Sequence, residues 1–437
     1  QRNNTGFTPA PCRGARLVLP PERIAAMPLA MPRPFRALAL ALAGLPALLA
    51  AQANVQNTPS ALGTVRVTTV ATGLEHPWGL AFLPDGRLLV TERPGRLRLV
   101  TPQGGVSSPL TGVPAVFARG QGGLLDIALD PAFESNRRVY LSYAEEGSGG
   151  TAGTAVYRAS LNAGATGLEA GSVIFRVAPK LNTQGHFGSR LAFGPDGRLY
   201  ITSGDNQHNA TAQRQDQHQG KILRLNPDGS VPPDNPFVGN AAWRPEIFST
   251  GHRSPQGLAF HPRTGALWMT EHGPKGGDEL NRVEAGRNYG WPTITHGIGY
   301  DDRPIPESVG THAPGLEQPR HFWTPSIGTS GLAFYEHPRS PEWMGSVFVG
   351  GLVSRALHRL RLDAAGAVVF EERLLEGLGW RIRDVRVGPD GALYVLVDAA
   401  NGRLLKLDPP SVTPRGKRPA SAPPAVPAKP GPMPAPA

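Results

Sequence analysis

The feature that most restricts this chain is a hairpin that recurs six times: a small-apolar pair, a tight turn often built on Pro-Asp-Gly, then a strand of apolar and aromatic residues. The copies cover residues 79–90, 125–141, 191–201, 257–268, 331–349 and 385–395. Proline sets the first corner of such a turn and glycine takes the positive φ that ends it, so each copy reads as a β-hairpin. The units lie roughly 45 to 75 residues apart, as propeller blades with inserted loops do. The expected fold is therefore all-β, a six-bladed β-propeller whose inserted loops form an active-site mouth. Radial closure removes long free edges and leaves a central channel. A β-sandwich or a solenoid is the competing architecture. Many propellers are partner-binding scaffolds, so the chemistry has to be read from the loops.

Charge invites a nucleic-acid reading that its distribution does not support. The formal net charge is +10, but residues 1–53 carry six Arg against Glu22, and the tail adds Arg415, Lys417, Arg418 and Lys429. These ends contribute +5 and +4, which leaves +1 for residues 54–408, with no clustered basic face and hence no nucleic-acid partner expected. The single cysteine, Cys12, excludes an internal disulfide, a cysteine-bound zinc and, downstream of the leader, a thiol nucleophile. Residues 31–36 are basic, 37–50 are apolar and 51–53 are small, the order of a signal peptide; residues 1–30 read as an upstream extension. The apolar run is too short for a bilayer span. The expectation is a periplasmic or secreted protein with no transmembrane segment in its mature part. Its propeller occupies 54–408, and 409–437 form a Pro/Ala-rich disordered tail.

Candidate chemistry sits where polar residues interrupt the hairpin pattern. His186, in Gly185-His186-Phe187-Gly188-Ser189-Arg190, falls at a strand entrance, where an imidazole acts as a base near neutral pH. The same hairpin ends in Ser203-Gly204-Asp205, which returns a carboxylate to that edge. Asp205 is placed to orient His186 or to bind a substrate hydroxyl; a turn histidine and a capping aspartate fit the same positions. Glu271-His272-Gly273-Pro274-Lys275-Gly276-Gly277-Asp278-Glu279 is Gly-rich and acidic, offering carbonyl and carboxylate oxygens of the kind calcium takes, without EF-hand spacing. Asn288-Tyr289-Gly290-Trp291-Pro292 is rigid and aromatic and reads equally as a structural corner. Arg381 and Arg383, two apart on a strand, share a face and suit a multiply carboxylated anion; a solvated strand face is the plainer reading.

These segments, in this order, resemble the PQQ-dependent soluble aldose sugar dehydrogenases and, more distantly, the soluble glucose dehydrogenases, from about Thr69 to Asp408. The specific pieces are Gly120-Gln121-Gly122-Gly123-Leu124, residues 186–190, 251–257, 271–279 with 288–292, and 381–386. The resemblance implies an enzyme that oxidises aldoses at the anomeric carbon to lactones, with pyrroloquinoline quinone (PQQ) and calcium as cofactors. It implies that His186 takes the anomeric hydroxyl proton while hydride passes to the quinone, that Asp205 supports it, and that Arg253 stabilises charge at the reacting oxygens. Gln121, Gln256, Ser326, Arg381 and Arg383 are implied to hold the cofactor. The carbonyl oxygens of Gly273 and Pro274 are implied calcium ligands, with Glu279 and Tyr289 at a second, structural calcium. The partners implied are an aldose and a quinone or cytochrome electron acceptor.

Two positions depart from the family pattern. Val353 stands where glucose dehydrogenase relatives carry a Lys, a lost cofactor contact unless Arg355 reaches in, and Ser254 stands where the pattern has Asn. Both are expected to weaken cofactor affinity rather than abolish activity. The alternatives are a calcium-dependent lactonase-type hydrolase, which needs acidic and Asn ligands in the channel and no arginine pair, and a non-catalytic glycan-binding propeller, which leaves His186 unexplained.

Overall fold

The computed structural model describes residues 55–410; the expected leader and all but the first two residues of the expected tail lie outside them. Six antiparallel sheets form the blades, spanning 77–100, 124–176, 188–250, 255–323, 329–374 and 382–408. Their first strands neighbour one another in order, and the last of them, Ile382–Val387, neighbours the first, Pro77–Phe82, so the ring is closed. The six sequence hairpins are the inner two strands of each blade. Closure uses both ends of the body: Gly63–Leu74 pairs with Gly402–Asp408 as the outer strand of blade 6, Val67 opposite Leu407, and Val55–Ser60 extends that sheet outward. Blade 1 has three regular strands. Its fourth place is filled by an irregular segment in which Ser107 and Leu110 donate to the carbonyls of Leu99 and Leu97.

The turn chemistry is as the sequence predicts. Gly86, Gly197 and Gly391 take φ of 84°, 71° and 73°. In each turn the preceding Asp accepts the backbone N–H two residues on, at 3.0–3.1 Å. The core lies between blades rather than at the axis. Leu89 and Leu97 pack against Ile127 and Leu141 between blades 1 and 2, Leu199 and Ile201 against Tyr140 and Val156 between blades 2 and 3, and equivalent clusters recur around the ring. Burial of such apolar surface is the main stabilising term.

Two features at the axis prepare the site. All six inner strands carry a register shift within their first residues, at Pro77/Leu80, Leu124/Ile127, Gly188/Leu191, Pro255/Gly257, Thr329/Leu332 and Ile382/Asp384. A bulge re-aims side chains, and five of these shifts bear residues that line one cleft: Trp78, Leu125, Gly188, Gln256 and Arg383. Below them the channel is plugged by ions. Arg190 bonds Asp126 at 3.0 Å and lies 3.2 Å from Asp384, while Arg386 bonds the same two carboxylates at 3.2 and 3.0 Å. Two cations and two anions cancel, which is what permits burial at this depth. Gly331 is required here, because a Cβ at that position would lie 2.2 Å from Asp384 Oδ1.

Candidate active site

Above the plug lies a cleft of about 220 Å³ whose walls include Gln121, Gln256, Gly273, Pro274, Ser326, Arg381 and Arg383, seven of the sequence candidates. His186 stands beside it, its neighbours Phe187 and Gly188 forming part of the wall. Its backbone takes φ 52°, a left-handed conformation held by Gln121, whose Oε1 accepts the His186 amide at 2.8 Å. His186 Nδ1 bonds Asp205 Oδ1 at 2.7 Å, which leaves Nε2 as the ring's open nitrogen. Asp205 is fully buried; its Oδ1 also accepts the Gln207 amide at 2.9 Å, and its Oδ2 accepts the indole N–H of Trp291 at 2.8 Å. A carboxylate so held is a hydrogen-bond anchor for the base and not a free substrate ligand, so of the two roles open to Asp205 the geometry favours orientation.

Arg381 and Arg383 do share a face. Both reach Asp398 Oδ2, at 3.6 and 3.1 Å, and Asp398 Oδ1 bonds His76 Nδ1 at 2.8 Å. Burial opposes ionisation of Asp398, yet Arg383, His76 and Arg381 hold its carboxyl well below the usual carboxylate range. Arg383 is buried and its Nε has no partner, although its Nη1 bonds Gln256 at 3.3 Å. Arg383 lines the cleft as a buried cation, a position that suits an anionic ligand. Arg381, with its side chain 45% exposed, stands at the rim.

The 271–279 loop is built around Asp278, which accepts Gly273 N through Oδ1 at 3.1 Å and Gly328 and Thr329 N through Oδ2 at 2.6 and 3.1 Å. Ser326 Oγ accepts Gly276 N at 3.1 Å. Arg253 meets Asp205 through its main chain, its carbonyl accepting Asp205 N at 2.8 Å, while its guanidinium bonds Gly273 O at 2.7 Å and lies 5.2 Å from the Trp291 ring centroid. The Arg253 guanidinium lines a second, smaller pocket, together with Glu271, Glu279 and Tyr289. Glu271 and Glu279 are directly opposed across two strands. Desolvation, and then the Glu271 charge, push the Glu279 carboxyl pKa upward. The Tyr289 hydroxyl is already bonded, donating to Arg282 O at 2.7 Å and accepting Glu284 N at 2.9 Å, so only its carbonyl is left to offer. Among the described residues no group of three or more His, Cys, Asp or Glu forms a ready metal cage.

The two departures sit in different places. Val353 is 63% exposed and lines the cleft, whereas Arg355 is not part of its wall. Ser254 is fully buried beneath the cleft, where its Oγ accepts from Gln256 Nε2 at 3.2 Å; it positions a wall residue instead of facing a ligand.

The profile of the glucose / sorbosone dehydrogenase family matches residues 74–406. The chain belongs to that family. The aldose sugar dehydrogenase YliI of Escherichia coli K12 is 47% identical over 352 residues, 80% of this chain and 94% of that protein. The crystal structure of the soluble E. coli aldose sugar dehydrogenase in its apo form superposes with a TM-score of 0.77 at 46% identity, covering 79% of this chain and 99% of that one. The PQQ-bound aldose sugar dehydrogenase of Streptomyces coelicolor gives a TM-score of 0.67 at 33% identity, over 80% and 100% of the two chains. The family reading of the sequence therefore holds, as does the six-bladed propeller, and this member of the glucose / sorbosone dehydrogenase family is an enzyme. Sequence reasoning passed over Trp78, Asp278 and Asp398 and left Trp291 as a possible corner residue. For Asp398 a signal existed: second strands or the residues just after them end in an acid in five blades, at Glu92, Glu146, Asp205, Glu271 and Asp398.

Proposed function

We propose that the protein oxidises aldose sugars at the anomeric carbon to lactones, using PQQ and calcium, with His186 as the general base. The observation that carries this is one cleft bordered by an Asp-anchored histidine and by a buried arginine with an unpartnered N–H. His186 Nε2 takes the proton of the anomeric hydroxyl, and Asp205 stabilises the imidazolium that forms. Bound PQQ supplies the two-electron acceptor for the hydride leaving the anomeric carbon. Arg381, Arg383, Gln256, Gln121 and Ser326 hold the cofactor. Its carboxylates would meet the guanidinium groups of Arg381 and Arg383, which line the cleft. Gly273 and Pro274 would offer carbonyl oxygens for calcium beside it and Arg253 would stabilise charge at the reacting oxygens, while Glu279 with Glu271 and the Tyr289 carbonyl would serve a second cation. The aldose enters from the rim, and a quinone or cytochrome accepts the electrons afterwards. Residues 54–408 are the catalytic propeller, exported by the 31–53 leader; among the described residues no helix is long and apolar enough to cross a membrane.

A calcium-dependent lactonase has less support, because the cleft's two acids, Asp278 and Asp398, are already engaged by backbone amides and by cations. The test is equilibrium binding of PQQ to the cofactor-free protein with and without calcium. Saturable binding strengthened by calcium is expected, and Arg383→Gln should weaken it by about 10-fold or more, the loss of one buried charge-assisted contact. Binding indifferent to both calcium and Arg383 would remove this cofactor assignment.

A further inference from the structure

Trp291 lies between Asp205 and the Arg253 guanidinium, and many contacts fix its placement. Its backbone N–H donates to Gly251 O at 2.9 Å and its carbonyl accepts Gln213 Nε2 at 2.7 Å. Gln213 is itself locked by a reciprocal pair with Asn288, at 3.1 and 2.7 Å. A Cβ on Gly251 would come within 2.1 Å of Asn288 Oδ1, so the 288–291 segment is pressed against the strand that precedes it. Lys221, buried, ties down the far end of the Asp205 loop through the carbonyls of Thr211 and Ala212 at 3.0 and 2.9 Å. All of this fixes one indole, 5% exposed, whose N–H points at the one Asp205 oxygen that His186 does not use.

We infer that Trp291 is a positioning residue for the base: its N–H pins Asp205 Oδ2, which keeps Oδ1 on His186 Nδ1 and so presents Nε2 to the anomeric hydroxyl. The inference rests on the proposed role of His186. A buried carboxylate with one oxygen unpaired is free to rotate or to recruit water, and either motion swings the imidazole. The ring face of Trp291 also carries the Arg253 guanidinium, so the two functions of the indole are separable by chemistry.

Trp291→Phe removes the N–H and keeps a ring under Arg253. With reconstituted protein, kcat for an aldose is expected to fall by about 10- to 100-fold, as for other outer-shell partners, while KM and the Kd for PQQ stay within about twofold, since neither substrate nor cofactor contacts are removed. In an Asp205→Asn background the same change should cost less than about twofold, because groups acting through one another are not additive. If Trp291→Phe does not fold, benzothienylalanine incorporated at position 291 keeps the indole shape with sulfur in place of N–H, and the same drop in kcat is expected. An unchanged kcat, or losses that multiply with those of Asp205→Asn, overturns the inference. Wild-type protein that binds PQQ yet oxidises no aldose would instead strike the proposed function itself.

Discussion

His186→Ala is expected to lower sugar-dependent turnover by about 10²- to 10⁴-fold, the usual contribution of a positioned general base. Affinity for PQQ should remain within about twofold, because His186 is anchored to Asp205 and Gln121 and the proposed cofactor contacts are made by other side chains. Asp205→Asn should fall short of that loss: the neutral amide still fills the site but no longer stabilises the imidazolium. Steady-state dye reduction, with PQQ binding measured on the same preparations, separates the two effects. Equal losses of kcat and of PQQ binding would mean that the dyad holds the cofactor and does not move the proton.

Arg190→Met should be the most damaging change away from the chemistry. Arg190 is 1% exposed, sits between Asp126 and Asp384, and lies under the Trp78 ring with 4.2 Å from its guanidinium carbon to the ring centroid. Removing it leaves two buried carboxylates sharing Arg386 alone, and breaking a buried ion pair from one side costs about 3–5 kcal/mol. Thermal unfolding should show a lowered Tm or loss of soluble protein, and adding Asp384→Asn should recover part of the loss by deleting one of the stranded charges. A Tm equal to wild type would show that water or a cation replaces the guanidinium, and that the plug does not hold the inner strands together.

Much of this architecture is written locally. Each of the three Pro-Asp-Gly turns fixes its own hairpin through a glycine at positive φ and an Asp bonded two residues ahead, and the other three hairpins repeat the same apolar pattern around different turns, so all six are legible without knowing how they meet. The same logic brings Asp205 back beside His186, since a hairpin returns to where it began. Applied to blade 6 it also brings back Asp398, whose amide donates to Arg381 O at 2.9 Å. What could not be read is what arrives from another blade. Trp291 reaches Asp205 across 86 positions, and Arg386 reaches Asp126 across 260. Ser254 illustrates the same limit from the other side. Its place in the family pattern, where Asn is usual, pointed to a shortened cofactor contact, but its hydroxyl lies beneath the cleft and accepts from Gln256 Nε2.

The decisive measurement is reduction of an artificial acceptor by the cofactor-free 54–408 protein, supplied with PQQ and calcium, on addition of glucose and other aldoses. Sugar-dependent reduction that requires both PQQ and calcium, with lactone as the product, is the result predicted. Protein that binds PQQ in the presence of calcium and still reduces nothing with any aldose would contradict it, and would leave the cleft a cofactor site whose substrate is not a sugar.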